Sequence, residues 1–344
     1  MSAEALVSVR DLRVTFATEA GPLRAVDGLS FELRPGEILG IVGESGSGKS
    51  VACLSLLGLT RGERTEITGE VRFDGRDLLA LGDEELREIR GNRIAMVFQD
   101  PLSSLHPYYT IGDQLREAIL VHRRMDRRAA DARVLELLEL VGIPDPARRL
   151  REYPHEFSGG MRQRAMIAMA LANDPDVLIA DEPTTALDVT TQAQILALIR
   201  RLRDELGMAV IMITHDLGAI AELAERVLVM YAGRAVETAP RDALFYDPQH
   251  PYTWGLLGSV PRMDRPRAAR LSQIAGQPPS PLALPEGCKF RPRCPHAFER
   301  CPIEPPLEAR AGDPSHLDRC WLSPERKRAL RTLPGTGEIG LEAA

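Results

Sequence analysis

Residues 43–50 read G-E-S-G-S-G-K-S and fit the spacing G-x-x-x-x-G-K-[ST] through Gly43, Gly48, Lys49 and Ser50. This pattern suits a nucleotide's phosphates. The glycines let the backbone N–H groups of Glu44, Ser45, Gly46 and Ser47 wrap anionic oxygens closely. The helix that follows, from Val51, points its positive end at them. Lys49 supplies a mobile charge for the β- and γ-phosphates, and the Ser50 hydroxyl is placed to coordinate Mg²⁺. A second stretch, V-L-I-A-D-E at 177–182, brings out two carboxylates after four apolar residues. Asp181 suits Mg²⁺, directly or through water, and Glu182 suits polarising a water for in-line attack on the γ-phosphate.

Such groups need a frame. I-L-G-I-V (38–42) is a continuous apolar run, as a buried parallel strand requires, and it leads straight into the phosphate loop. V-A-C-L-S-L-L-G-L after Ser50 reads as a helix closed by Gly. Strands are expected at V-S-V-R-D-L-R-V-T-F, at 29–33, 177–181, 209–214 and 227–231, with a Gly-Pro loop at 21–22 and a helix from Thr191 to Leu206. This alternation predicts an α/β core with a largely parallel sheet, whose carboxylates emerge at the C-terminal strand ends where ligands bind; with the phosphate loop in that setting, the core resembles a P-loop NTPase. Residues 106–165, rich in Leu, Arg and Glu at helical spacing, predict an inserted helical subdomain. From about 240 proline becomes dense and periodicity fades. The expected division is an ATP-binding domain over 1–260 and an irregular, Cys-containing C-terminal extension over 261–344.

The chain has 344 residues and a net charge of −6. That balance argues against nucleic acid as a partner, since acids are interleaved with the arginines. No apolar run is long enough to cross a bilayer and the N-terminus has no secretory h-region, so a cytosolic chain is expected. The basic residues are 40 Arg and 3 Lys, and Lys49 is the only lysine before Lys289. Position 49 thus keeps a compact ammonium where a guanidinium would not substitute.

With these residues in view, the chain resembles the ATP-binding subunits of ABC transporters. The deciding stretch is F-S-G-G-M-R-Q-R (157–164), close to that family's L-S-G-G-Q signature and lying between the phosphate loop and the D-E strand. The resemblance spans about residues 6–260 and implies an ATPase. It implies that Ser158, Gly159, Gly160 and Met161 close over the γ-phosphate of ATP held by an opposite subunit. Phe16 would stack on adenine, although a strand-core Phe fits equally. Gln99, in M-V-F-Q-D-P, would reach Mg²⁺ and the attacking water. Asp188 would cross the dimer interface, and His215, in I-T-H-D, would contact the γ-phosphate and orient the Glu182 site.

A narrower resemblance rests on S-G-G-M-R-Q-R, D-P-L-S-S-L-H-P (100–107) and Q-H-P-Y-T-W-G-L-L (249–257). These look like the subunits that power dipeptide, oligopeptide and nickel importers. Met161 stands where the general signature has Gln, a form typical of one of two paired ATPases. The resemblance therefore implies a heterodimer with a second, homologous ATPase subunit. It also implies two transmembrane permease subunits, an extracytoplasmic substrate-binding protein, and a peripheral place on the cytoplasmic face of the inner membrane. Import of di- or oligopeptides is the expected work. A nickel or other small-solute importer, or an ABC ATPase outside transport, are the alternatives. A module that holds ATP without hydrolysing it is disfavoured by the presence of Glu182, Gln99 and His215.

Five cysteines remain. Cys53 reads as a small core residue. Cys288, Cys294, Cys301 and Cys320 fall in the extension, separated by five, six and eighteen residues. Disulfides suit a cytosolic chain poorly. Zinc and a [4Fe–4S] cluster both take four thiolates, and spacing does not decide between them. In the peptide-importer subfamily this extension is associated with a [4Fe–4S] cluster, so the resemblance implies one. Lys289, Arg291 and Arg293 would then offset its charge, while His296 and His316 are alternative ligands or solvated loop positions. No step of hydrolysis requires the tail, which is expected to stand apart from the ATP chemistry.

Overall fold

The computed structural model describes residues 5–100, 104–259, 274–309 and 312–331. An antiparallel sheet of four strands comes first: β1 (Val7–Thr18), β2 (Gly21–Leu33), β4 (Thr65–Phe73) and β5 (Arg76–Asp77), in the order β2-β1-β4-β5. The second sheet has seven strands. Its parallel part consists of β3 (Ile38–Val42), β6 (Ile94–Val97), β7 (Val177–Asp181), β8 (Ala209–Ile213) and β9 (Arg226–Tyr231). β10 (Arg234–Pro240) and β11 (Leu317–Asp318) continue it antiparallel, giving the order β11-β10-β9-β3-β8-β7-β6.

The apolar runs explain this placement. Every residue of β3, β7 and β8 is buried. A strand covered on both faces has no need to alternate. One face packs on the antiparallel sheet and the helix Lys49–Leu56, around Leu12, Leu29, Leu39, Ile41 and Leu56. The other packs on helices that include Gly159–Ala170 and Val189–Leu206. The two cores therefore clamp β3 between them, and the phosphate loop starts where that strand ends.

Between β6 and β7 lie the helices Ile111–Leu120, Arg127–Leu140, Pro146–Arg149 and Gly159–Ala170. Part of the expected D-P-L-S-S-L-H-P motif, residues 101–103, lies outside the described residues. The helix expected from Thr191 begins at Val189, because Asp188 accepts the Thr191 N–H at 3.0 Å and caps it.

Two expectations need correction. Gly21 and Pro22 are not a loop but the first residues of β2, paired with Thr18 and Ala17 of β1. Their strand lies at the sheet's edge, where a missing proline N–H leaves no ladder bond unmade. Regular structure also does not fade at 240. The helices Arg241–Tyr246 and Pro251–Gly258 follow, and β11 returns to pair with β10. That return is anchored by fully buried polar groups. Glu237 accepts the N–H groups of Gln249 and His250, at 2.6 and 2.9 Å, and faces His316 Nε2 at 2.7 Å. Asp318 pairs with Lys327 Nζ at 2.6 Å. Most of 274–309 is irregular, as its prolines require.

Candidate functional site

The phosphate loop, the Asp181–Glu182 pair and His215 sit at the C-terminal ends of the parallel strands β3, β7 and β8. Open α/β sheets present ligand sites there. Gly43 has φ +154°, and a Cβ on it would come within 2.2 Å of the Met230 carbonyl. Gly48 has φ +97°, and a Cβ would meet the Ala25 carbonyl at 2.3 Å. Only glycine lets the loop pass so close to its neighbours before the helix starts at Lys49.

Lys49 is nearly buried, with 5% of its surface exposed. Its ammonium folds back on the loop and donates to the carbonyls of Gly43 (2.8 Å) and Glu44 (3.0 Å), with Ser47 Oγ at 3.5 Å. Burial lowers its pKa, while Glu182, Asp181 and Glu44 pull the other way. The charge waits on weak neutral acceptors that a phosphate would outcompete.

Asp181 is buried, and burial raises its pKa against a lowering hydrogen bond from Ser50. Its Oδ1 is buried with no hydrogen-bond partner. An orphaned carboxylate oxygen beside a serine hydroxyl fits a hard divalent cation that takes oxygen ligands. Gln99 is elsewhere: its Nε2 donates to Glu182 Oε2 at 2.8 Å.

Glu182 is held on every side. Its backbone takes φ +48°, and its N–H donates to the Ile213 carbonyl at 2.8 Å. A left-handed glutamate is unusual and costs of order 1–3 kcal/mol, which the surrounding structure has to sustain. Besides Gln99, its carboxylate faces His215 Nδ1 at 3.2 Å and accepts from Thr185 Oγ1 at 2.9 Å. Thr185 was not anticipated, although a hydroxyl three residues after the base is within local reach.

The remaining expected positions are placed as follows. Phe16 is half-buried on β1 against the adjoining core. Val51 packs on the same core. Ser158 caps the helix Gly159–Ala170 and accepts the Met161 N–H at 3.3 Å, and the Met161 side chain packs on the helical core. A Cβ on Gly160 would meet Thr191 at 2.7 Å. Among the described residues, Ser158–Met161 make no hydrogen bond to the phosphate loop of this chain. Asp188 bonds the Thr191 hydroxyl at 2.7 Å besides its N–H, and these bonds lower its pKa.

Cys53 is fully buried in the core, as expected. Cys288, Cys294, Cys301 and Cys320 converge on one pocket, also lined by Phe290 and His296. Burial pushes Cys294 to about 11 and Cys320 to about 12, and raises Cys288. Among the described residues no three His, Cys, Asp or Glu side chains stand close enough to hold one metal ion. The basic residues expected beside the cysteines lie apart from one another. Lys289 donates to the Pro285 carbonyl at 2.8 Å, and only Arg291 lines the cysteine pocket. His316 is buried against Glu237, so it is neither solvated nor a ligand.

The tail, expected to stand apart from the ATP chemistry, lies against the phosphate loop. Arg293 reaches the phosphate loop and pairs with Glu44, Nη1 to Oε2 at 2.6 Å and Nη2 to Oε1 at 3.0 Å. The Glu44 N–H donates to Tyr252 Oη at 2.8 Å. The Glu44 N–H, expected to wrap phosphate oxygens with those of Ser45, Gly46 and Ser47, thus bonds Tyr252 here, and the Glu44 side chain turns to the C-terminal segment.

A phosphate loop after a buried strand, with an acid pair and a histidine on neighbouring strand ends, defines a P-loop nucleoside triphosphatase. Residues 26–185 match the ABC transporter family, and residues 236–301 match the family described as the C-terminal region of oligopeptide/dipeptide transporters. The chain is 52% identical to the dipeptide transport ATP-binding protein DppD of Bacillus subtilis, over 94% of this chain and 96% of that one. It is also 52% identical to the oligopeptide transport ATP-binding protein OppD of Salmonella typhimurium, over 93% and 94%. A solved ATP-binding cassette, a post-hydrolysis dimer with ADP and Pi, superposes with TM-score 0.62 at 30% identity, covering 68% of this chain and 98% of that chain. The chain belongs to the ABC transporter ATP-binding subunits, in the dipeptide/oligopeptide importer family.

Proposed function

We propose that this chain is the ATP-hydrolysing subunit that powers import of di- or oligopeptides through a membrane ABC transporter. The observation that carries the reading is the Glu182 carboxylate, held by Gln99, Thr185 and His215 beside a loaded lysine and a buried Asp181–Ser50 pair. The near full-length similarity to DppD and OppD supports the peptide class.

The chemistry follows from positions. The loop amides and Lys49 would hold the phosphates, and Phe16 would stack on the base. Ser50 and Asp181 would hold Mg²⁺, with Gln99 swinging from Glu182 to complete the set; bound there, the ion neutralises charge on the β- and γ-oxygens. Glu182 would orient the attacking water and take its proton, and His215 would keep that carboxylate aimed. Ser158, Gly159, Gly160 and Met161 would serve the ATP of a second, homologous ATPase subunit, with Asp188 at the crossing. ATP then acts as a ligand that favours the closed pair.

Residues 1–260 are read as the ATP-binding domain, with the helices of about 106–165 as its inserted helical subdomain, and 261–344 as the extension. Part of that extension, 261–273 and 332–344, lies outside the described residues. Beside Phe98 a groove of about 290 Å³ is lined by Ala118, Val121, His122, Met166 and Met169. Phe98 and Val121 are exposed there. An apolar groove one residue from Gln99 suits a cytoplasmic helix of a permease subunit. Among the described residues no helix is long and apolar enough to cross a membrane. By its likeness to the peptide-transport ATP-binding subunits, the chain would sit peripherally at the cytoplasmic face, under two permeases fed by an extracytoplasmic binding protein.

The test is ATPase activity of the assembled transporter in vesicles, with binding protein and a panel of di- and oligopeptides. Severalfold stimulation by peptides is expected. Stimulation by nickel alone would replace the cargo, and none by either would overturn the import reading.

The four cysteines around one pocket are read as the cage of a [4Fe–4S] cluster, with zinc as the alternative. A cluster spreads its four ligands wider than a single ion does, so a cage for it need not bring three thiols together. Buried thiols must lose their protons to a positive centre to bind. Anaerobically purified protein is expected to be brown, with about four iron and four sulfide per chain, and Cys294→Ser to bleach it. Colourless protein loaded with zinc would remove the cluster.

A further inference from the structure

We propose that Arg293 is a positioning residue for the phosphate loop: it draws the Glu44 carboxylate away from the nucleotide and neutralises it, so that the loop can accept a polyphosphate. The inference rests on the ATP-site reading above and adds to it a residue of the C-terminal segment.

Glu44 lies inside a loop whose task is to bind an anion. A free carboxylate there would oppose ATP, because like charges a few ångströms apart repel strongly where solvent is scarce. The structure answers this with a two-pronged pair, 2.6 and 3.0 Å, from a guanidinium that is only 5% exposed. The guanidinium is itself fixed. Nε donates to the Ala275 carbonyl at 2.9 Å, Nη1 reaches Tyr231 Oη at 3.3 Å, and Nη2 reaches the Ile274 carbonyl at 3.4 Å. A planar fork with five donors can satisfy all of these at once, and an ammonium cannot.

The other end of Glu44 is fixed too. Its N–H donates to the buried Tyr252 hydroxyl, and its carbonyl accepts from Lys49 Nζ. Holding the Glu44 side chain therefore also sets the carbonyl on which Lys49 rests. Pro278, Pro279 and Pro281 line a pocket together with Ser45 and Gly46, so the same segment covers the loop's tip. The effect belongs to ATP binding, not to the attack on the γ-phosphate, because Arg293 touches none of Glu182, Gln99 or His215.

The test uses the full chain with a fluorescent ATP analogue, alongside ATPase kinetics and a thermal melt. Arg293→Met is expected to raise the Kd and the KM for ATP roughly fivefold or more, with kcat changed much less. Glu44→Gln in the same background removes the stranded carboxylate, so the double variant should bind more tightly than Arg293→Met alone. Arg293→Lys should fall between wild type and Arg293→Met. A merely structural Arg293 would give the opposite pattern, with the double variant as weak as or weaker than Arg293→Met; that result, or unchanged affinity in Arg293→Met, overturns the proposal. Lys49→Met serves as the control: normal ATP binding there would mean that the ATP-site reading had failed, independently of Arg293.

Discussion

Glu182→Gln is expected to stop turnover while ATP still binds. Phosphate release should fall by at least about 100-fold, since a positioned general base contributes roughly 10²–10⁴. Nucleotide affinity, measured by titration, should stay close to wild type, because Lys49, Ser50 and the loop amides are untouched. Glutamine is nearly isosteric, so it keeps the acceptor that Thr185 Oγ1 reaches at 2.9 Å. What it lacks is the negative charge and the second acceptor oxygen. Gln99 Nε2 and His215 Nδ1 both converge on this carboxylate, and one of them would face an amide N–H₂. The base and its His215 contact on Oε1 are thus lost together, while the φ +48° backbone and its N–H bond to Ile213 are retained. Thr185→Val should show a smaller fall in kcat, as expected of a group that only aims the base. Normal ATPase activity in Glu182→Gln would remove Glu182 from its role.

What sequence reading reached, and what it missed, follows from the range of each interaction. The buried strands were legible because burial on both faces demands uninterrupted apolar runs, as in β3, β7 and β8. The phosphate loop was legible because its φ values and close carbonyl contacts admit only glycine at positions 43 and 48. Gly21 and Pro22 misled because their types favour turns, yet pairing with Thr18 and Ala17 in an edge ladder overrode that preference. Thr185 was within reach of a local argument. Arg293 was not: 249 positions separate it from Glu44, and no periodicity links them. His316 looked like a loop residue, and only the fold shows the buried carboxylate of Glu237 that it meets. The four cysteines line one pocket, and the tail they mark also carries a contact to the phosphate loop.

Lys49→Arg should cripple the enzyme even though the charge is kept. The sequence holds 40 Arg and 3 Lys, so a lysine retained at this position already separated the two cations. The structure supplies the reason. The ammonium occupies a 5% exposed niche walled by the Gly43 and Glu44 carbonyls and Ser47 Oγ. A guanidinium is wider and planar and would have to displace the loop that Gly43 presses against the Met230 carbonyl. Overpacking of that kind costs about 1–3 kcal/mol, which corresponds to roughly five- to 150-fold in affinity. The ammonium must also swing from loop carbonyls to phosphate oxygens on binding, a motion that suits a single point charge on a flexible stem. Lys49→Met removes the charge altogether and should lower kcat/KM further, by about 10²–10³, the scale for losing one donor at a developing charge. The two variants separate shape from charge: if Lys49→Arg were close to wild type, charge alone would matter at this position, and the niche around the ammonium would have no part in selecting lysine.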